Sequence, residues 1–317
     1  MFAYAEYNLA KLKENILKLK KNCNDIIFLF PVKCCNNDDV LNLVAKLGFG
    51  FDISNNQELK IIEKYLDGRF ISASGPLAKE LQSYKYSNLH IAVNNINDYK
   101  SNLGIRINFN SDNRFDISHF GVDFTKINKT IKDNLKYIHF HNSDKRTLHK
   151  CEIIENNFIQ VIQQCPNLKY INIGGHLEDL SFEEGIHYLK RMREIIPKNI
   201  ILIAELGDFI FKKVGQLHSK VIDTKIENET QIVILNFSKM ANQRWAYPIY
   251  NIKNKQNKLI NTKFYGCSCC ETDFFYEGES ELLIEGDEII FDNISPYSYQ
   301  WNISFNGVPK INNFFKK

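Results

Sequence analysis

The sequence predicts a (β/α)8 TIM-like barrel followed by a smaller all-β C-terminal domain. Eight short apolar, β-rich runs recur at Ile26–Val32, Phe49–Ile53, Phe70–Ala73, Leu89–Val93, Leu103–Phe109, Tyr137–Phe140, Tyr170–Ile173 and Ile200–Ala204. Amphipathic stretches such as Asp39–Leu47, Gln57–Leu66 and Phe182–Ile195 separate several of them. Strands alternating with helical periodicity indicate parallel β/α units. After about Leu206 the pattern changes: Lys220–Thr224, Gln231–Asn236, Leu282–Ile284 and Glu288–Phe291 read as strands, with a turn at Glu285-Gly286-Asp287 and no long helical pattern between them. The expected boundary puts residues 1–207 in the barrel and 208–317 in the β domain.

Taken in order, the barrel elements explain where chemistry gathers. The first run ends at Lys33, followed by Cys34-Cys35-Asn36-Asn37. Such a lysine has two readings. Its stem can cover apolar surface while its head reaches water. Alternatively, burial lowers its pKa and frees an amine for Schiff-base chemistry. The second run ends at Asp52, and Asn55 is a candidate N-cap for the helix that follows. Ser74-Gly75 follows the third run, Arg106 and Asn108 sit in the fifth, and His141 follows the sixth. Gly174-Gly175-His176 follows the seventh, before the candidate N-cap Ser181, and Glu205 follows the eighth. A barrel of this kind places its active site at the C-terminal ends of the strands. Any one of these residues alone reads as a solvated loop position; polar and glycine features at all but the fourth strand end converge on one rim.

Composition bounds the function. With 44% hydrophobic and 24% charged residues, the chain reads as globular, and a net charge of +3 is too small to imply nucleic acid or a membrane surface. No apolar run approaches the ~18 residues needed to span a bilayer. The start, Met1-Phe2-Ala3-Tyr4-Ala5-Glu6, lacks the pattern of a signal peptide. Eight cysteines in a chain this long do not suggest a disulfide scaffold, so a reduced, cytoplasmic protein is expected. Cys267-Ser268-Cys269-Cys270 could suggest zinc, but no convincing second ligand pair accompanies it, and no metal is expected.

The motifs resemble a known family. Lys33, Phe51-Asp52-Ile53-Ser54 with Glu58, His139-Phe140-His141, Asn172-Ile173-Gly174-Gly175 and Glu205-Leu206-Gly207 occur in the order seen in fold-type III pyridoxal-phosphate decarboxylases of ornithine, diaminopimelate, arginine and carboxynorspermidine. Gly266-Cys267-Ser268-Cys269-Cys270-Glu271-Thr272-Asp273, Glu285-Gly286-Asp287, Phe291–Tyr297 and Phe305-Asn306-Gly307 continue the match. As a set these motifs are specific. Two features resemble the carboxynorspermidine branch: the glycine-histidine segment Ile173–His176, and an acid, Asp208, where most members carry a phosphate-binding arginine. The implied fold is the alanine racemase-like barrel with its β domain, and the implied cofactor is pyridoxal 5'-phosphate.

The resemblance implies a role for each residue. Lys33 forms the Schiff base with the cofactor, Glu205 keeps the pyridine nitrogen protonated and His141 stacks on the ring. Gly174, Gly175 and Tyr297 bind the phosphate, while Asp52 and Glu58 orient the network and Arg106 forms part of the wall. Cys269 matches the thiol that protonates the carbanion, a task suited to its pKa. In the family that cysteine comes from the partner subunit, which implies a head-to-tail homodimer with shared sites. Cys267 and Cys270 fit buried structural thiols better, and Asp273 matches an acid near the substrate.

Departures from the family pattern bear on the substrate. Cys270 stands where the ornithine and diaminopimelate branches have an acid. The stretch Asn236–Trp245, where members usually hold substrate-reading acids, offers Lys239, Asn242 and Arg244 instead. Cations suit an anionic tail, although exposed loop charges are the plain alternative. The favoured substrate is N-citrylornithine, an intermediate of carboxylate siderophores. The alternative is carboxynorspermidine or another polyamine precursor, for which Asp273, Glu271 and Asp144 could supply acids. An amino-acid racemase and a non-catalytic homologue are less favoured, because Lys33 and Cys269 are both present in decarboxylase-like context.

Overall fold

The structure, a computed structural model, describes residues 3–109, 118–141, 147–245, 247–252 and 258–317. The chain divides into two compact units, residues 15–210 and residues 1–14 with 211–317. The sequence reading placed residues 1–14 in the barrel. Instead β1 (Tyr4–Asn8) pairs antiparallel with β11 (Gly215–Glu227) and so joins the β unit, while Asp208–Ile210 stays with the barrel. Pairing partners more than 200 residues away carry no local sequence signal. Helix α1 (Leu9–Asn22) spans the boundary.

In the unit 15–210 all eight expected strands form: β2 (Ile26–Pro31), β3 (Gly50–Ile53), β4 (Ile71–Ser74), β5 (Leu89–Val93), β6 (Gly104–Asn108), β8 (Tyr137–Phe140), β9 (Tyr170–Asn172) and β10 (Ile201–Glu205), with β7 (Val122–Asp123) as a short addition beside β6. They pair in parallel in chain order, β5 joins β6, and β10 pairs with β2 to close the barrel. Both faces of a closed parallel sheet are covered, which is why these strands read as continuous apolar runs. Helix α2 (Asp38–Lys46) starts at Asn37, whose side chain accepts from the Asp39 and Val40 N–H groups. Asn55 caps α3 (Asn56–Ile62), and α4 (Lys129–Asn134) and α5 (Leu148–Gln164) follow further along the chain. Ser181 and Glu184 form a reciprocal capping box on α6 (Phe182–Ile195), satisfying two donors at the helix start. The crossovers after β4 and β5 carry 3₁₀ turns at Ala78–Ser83 and Ile96–Asp98 in place of α-helices.

In the β unit, β13 (Ile249–Tyr250), β16 (Glu288–Asp292), β11, β12 (Thr230–Leu235), β14 (Leu259–Tyr265) and β15 (Phe274–Glu281) are neighbours in that order, and β17 (Asn312–Lys316) lies parallel to β1. Two short helices, α7 (Lys239–Asn242) and α8 (Tyr297–Gln300), interrupt the strands. Leu282–Ile284, expected as a strand, lies outside the sheet: Leu282 and Ile284 are exposed and only Leu283 is buried. Gln231 replaces the missing ladder, donating to the Leu283 carbonyl at 2.6 Å and accepting from its N–H at 3.2 Å.

Candidate active site

Polar side chains buried inside the barrel strands converge near their C-terminal ends. Pro31 and Asp52 are register partners on β2 and β3, so Lys33, two residues further on, reaches Asp52 Oδ2 with Nζ at 2.5 Å. Asp52 is fully buried, whereas the Lys33 side chain is 41% exposed. Burial pulls the Lys33 pKa down, but the carboxylates of Asp52, Glu205 and Glu58 outweigh it and raise it above the ordinary value. The expected lowering by desolvation is therefore reversed: this lysine is held as an ammonium. Burial and the Glu205 charge push Asp52 up to about 8, against the opposing pull of Lys33. Glu58 caps its own helix instead of reaching the cluster by hydrogen bonds, accepting from the Ser54 N–H at 2.7 Å.

Glu205 ends β10 and is held from one side. His139 Nε2 lies 3.0 Å from Oε1, Asn172 Nδ2 donates to it at 2.7 Å and Ser72 Oγ lies at 3.4 Å. Tyr137 Oη completes the layer, 2.9 Å from Ser72 Oγ and 3.2 Å from Asn172 Nδ2. Oε2 has no hydrogen bond among the described residues. Burial works against the Glu205 charge, yet the His139 hydrogen bond and the Lys33 ammonium keep it well below the usual carboxylate range.

Arg106 Nη2 donates to the His141 carbonyl at 3.0 Å, and its guanidinium lies over the Phe120 ring at 4.4 Å. Burial and Arg106 hold the His141 pKa well below its ordinary value. Its Nδ1 accepts the Gly175 N–H at 3.3 Å, so the ring is neutral with its proton on Nε2.

The glycines do something other than expected. A Cβ on Gly174, which has φ +66°, would meet the Phe140 carbonyl oxygen at 2.3 Å, and one on Gly175 would meet that of Glu205 at 2.1 Å. They let the chain leaving β9 pass against β8 and β10. Their N–H groups are already engaged, Gly174 on Asn172 Oδ1 at 2.9 Å and Gly175 on His141. The next two N–H groups, of His176 and Leu177, have no protein acceptor among the described residues. His176 has φ +63° and faces the carboxylates of Glu178 at 3.5 Å and Asp179 at 3.6 Å.

Asp52, His139 and Glu205 offer ligand atoms within 4.8 Å of one another. The cation already at this cluster is the Lys33 ammonium. Asp52 Oδ1, Arg106 Nε and His139 Nδ1 are buried without hydrogen-bond partners among the described residues. Orphaned buried groups of this kind mark a place where a polar molecule completes the network. With an amine, a free carboxylate oxygen and a neutral imidazole beside them, the residues fit pyridoxal phosphate.

The β unit holds the remaining candidates. Cys269 is exposed and Cys270 half-buried. The guanidinium of Arg244 stacks on two indoles, 5.1 Å from the Trp245 ring centre and 4.5 Å from that of Trp301. Its side-chain donors make no hydrogen bond among the described residues. Lys239 Nζ lies 6.0 Å over the Phe274 ring, and Tyr297 meets Trp245 edge-on at 5.0 Å. Two of the candidates are engaged internally. Asp273, read as a substrate acid, is 1% exposed and occupied by internal hydrogen bonds. Asn242 is buried and spent on Asn302, Pro309 and the Ser238 N–H. Asp144 lies outside the described residues. Sequence reasoning assigned no role to Ser72, Tyr137, His139 or Asn172; the available signal was a polar side chain inside an otherwise apolar buried strand.

Residues 9–74 match the family model of the pyridoxal-binding domain of pyridoxal-dependent decarboxylases. No curated protein matches the chain. Among solved structures it is similar to the arginine decarboxylase of Paramecium bursaria Chlorella virus bound to agmatine, with TM-score 0.82 and 16% identity over 99% of this chain and 96% of that one. It is also similar to the lysine/ornithine decarboxylase of Vibrio vulnificus complexed with cadaverine, with TM-score 0.78 and 14% identity over 99% and 94%. Carboxynorspermidine decarboxylase of Campylobacter jejuni shares 19% identity at TM-score 0.71 over 99% and 93%. The likenesses supply the fold, and the family match over residues 9–74 supplies the chemistry: a pyridoxal-dependent decarboxylase domain, that of a carboxy-lyase with pyridoxal 5'-phosphate as its cofactor.

Proposed function

We propose that this enzyme decarboxylates an N-substituted diamino acid whose distal amine carries an acidic acyl group, with N-citrylornithine as the favoured substrate and carboxylate siderophore synthesis as its setting. The observation that carries this reading is Arg244, whose guanidinium lies over the rings of both Trp245 and Trp301 with its donors unspent among the described residues. A guanidinium fixed on aromatic faces is a prepared receptor for a carboxylate, because its fork matches two carboxylate oxygens. Lys239 adds a second cation on α7. The withdrawal of Asp273 into internal hydrogen bonds removes an acid that a distal ammonium would need.

The bound cofactor supplies the conjugated ring that accepts the electron pair left when carbon dioxide departs. Lys33 would hold its aldehyde carbon, Glu205 Oε2 its ring nitrogen and His141 its ring. The His176 and Leu177 N–H groups would meet its phosphate. Arg106 anchors the His141 backbone, and the Gly175 N–H on Nδ1 orients the imidazole. Cys269 is the proton donor to the α-carbon after carbon dioxide has left. The reading includes a homodimer in which the partner subunit supplies this thiol, and a cytoplasmic setting.

The second reading is a polyamine precursor such as carboxynorspermidine. The likeness to the Campylobacter jejuni enzyme and the exposed acid Glu271 favour it. The Arg244→Gln variant separates the two. The proposal expects KM for N-citrylornithine to rise tenfold or more and KM for a polyamine precursor to stay within twofold. An unchanged KM for the citryl compound would remove the anionic-tail reading.

A further inference from the structure

The loop that carries Cys269 is pinned at three consecutive backbone N–H groups. Cys267 N–H donates to the Phe237 carbonyl at 2.9 Å, Ser268 N–H to Asp273 Oδ2 at 3.1 Å and Cys269 N–H to Asn306 Oδ1 at 3.2 Å. Asp273 is the hub. Its Oδ2 also accepts the Ser268 hydroxyl at 2.6 Å, and its Oδ1 accepts the Met240 N–H at 3.2 Å. Its own backbone closes the loop, with Asp273 N–H on the Cys270 carbonyl at 2.9 Å and Gly266 N–H on the Asp273 carbonyl at 2.8 Å. The carboxyl packs so closely that a Cβ on Gly266 would lie 2.4 Å from Oδ2.

Met240 belongs to α7, the turn that also carries Lys239 and leads to Arg244. Its carbonyl accepts the Trp301 indole N–H at 3.2 Å, and Trp301 is one of the two rings that hold Arg244. One buried carboxylate thus ties the thiol-bearing loop, through Oδ2, to the turn leading to the anion-receiving arginine, through Oδ1.

We infer that Asp273 is a positioning residue that fixes the Cys269 loop against α7 and so sets where the thiol delivers its proton, without touching the substrate. This rests on the proposed role of Cys269. A correctly placed thiol delivers its proton to the α-carbon, and the amine and carbon dioxide form one for one. A misplaced thiol would leave part of the product as a carbonyl compound, its oxygen drawn from water and its nitrogen kept by the cofactor. Carbon dioxide then exceeds amine, and activity decays until fresh cofactor is added.

The test uses the holoenzyme with whichever amino acid it decarboxylates, and reads carbon dioxide per amine formed together with KM. For Asp273→Asn the expected result is a severalfold excess of carbon dioxide over amine with KM within about twofold of wild type. Ser268→Ala, which removes only the 2.6 Å hydroxyl bond, shifts the ratio in the same direction and keeps the test open if Asp273→Asn does not fold. Cys269→Ala shifts it most, and adding Asp273→Asn to Cys269→Ala changes it no further, as expected of two residues acting through one proton. A tenfold rise in KM with the ratio unchanged in Asp273→Asn or Ser268→Ala overturns the inference. An unchanged ratio in Cys269→Ala is a different failure, sinking the role of Cys269 itself.

Discussion

Lys33 Nζ and Asp52 Oδ2 meet at 2.5 Å where β2 and β3 end, and the carboxyl is wholly buried while the amine is not. The pair holds the amine in its protonated form. Replacing Lys33 with Ala leaves Asp52 buried without its cation. The variant should lose turnover and the visible absorbance of the holoenzyme. The apo form should also lose stability, by no more than about 3 kcal/mol, the low end for a broken buried pair. The loss has a sign in pH. A carboxyl whose folded pKa lies above its unfolded value favours the folded state most at low pH, and that contribution fades as pH rises from about 4 toward the folded pKa. Denaturation of the apo variant should show its deficit growing across that range, with Asp52→Asn in the same chain removing it.

At the opposite end of the barrel, His90 stacks on Phe70 with ring centres 4.1 Å apart and also meets Tyr170 at 4.7 Å. Burial lowers its pKa to about 4. An unfolded histidine takes its proton near 6.5. Stability from this group is therefore complete above 6.5 and lost as pH falls from there to about 4. Urea midpoints at pH 7.5 and 5 should differ, and His90→Phe should narrow the difference.

Glu205 has its hydrogen bonds gathered on Oε1 and its charge fixed by His139 and Lys33. Glu205→Gln keeps the shape and removes the charge. The expected result is cofactor still bound and kcat lowered about 10²-fold, the scale of a lost acid–base partner. Asn172→Ala, which loses the 2.7 Å bond, should lower kcat less.

Gly175 and Gly286 make a matched pair. A Cβ at Gly175 would sit 2.1 Å from the Glu205 carbonyl oxygen, whereas Gly286, with φ +92°, has nothing within 4 Å. Gly175→Ala should cost about 1–3 kcal/mol or more, as overpacking does. Gly286→Ala should cost only the backbone strain of about 1–2 kcal/mol. Thermal denaturation of the two variants checks the order.

The barrel was legible because each strand is a local apolar run and helix caps such as Asn55 and Ser181 are local signals. The strand-end residues were legible as a set, since a barrel gathers them on one rim. What escaped was non-local. β1 belongs to the β unit through partners on β11 and β17. Leu282–Ile284 has strand composition, but it is held through Gln231 outside the sheet. The direction of the Lys33 shift depends on three carboxylates, one of them the distant Glu205. For Asp273, sequence shows the residue type and not the internal hydrogen bonds that hold it.

The most direct test is carbon dioxide release by cofactor-loaded enzyme, with N-citrylornithine and carboxynorspermidine compared side by side and Lys33→Ala as the blank. The account predicts faster release from the citryl compound and none from the variant. Faster release from carboxynorspermidine would contradict the role given to Arg244, and release by Lys33→Ala would contradict the site itself.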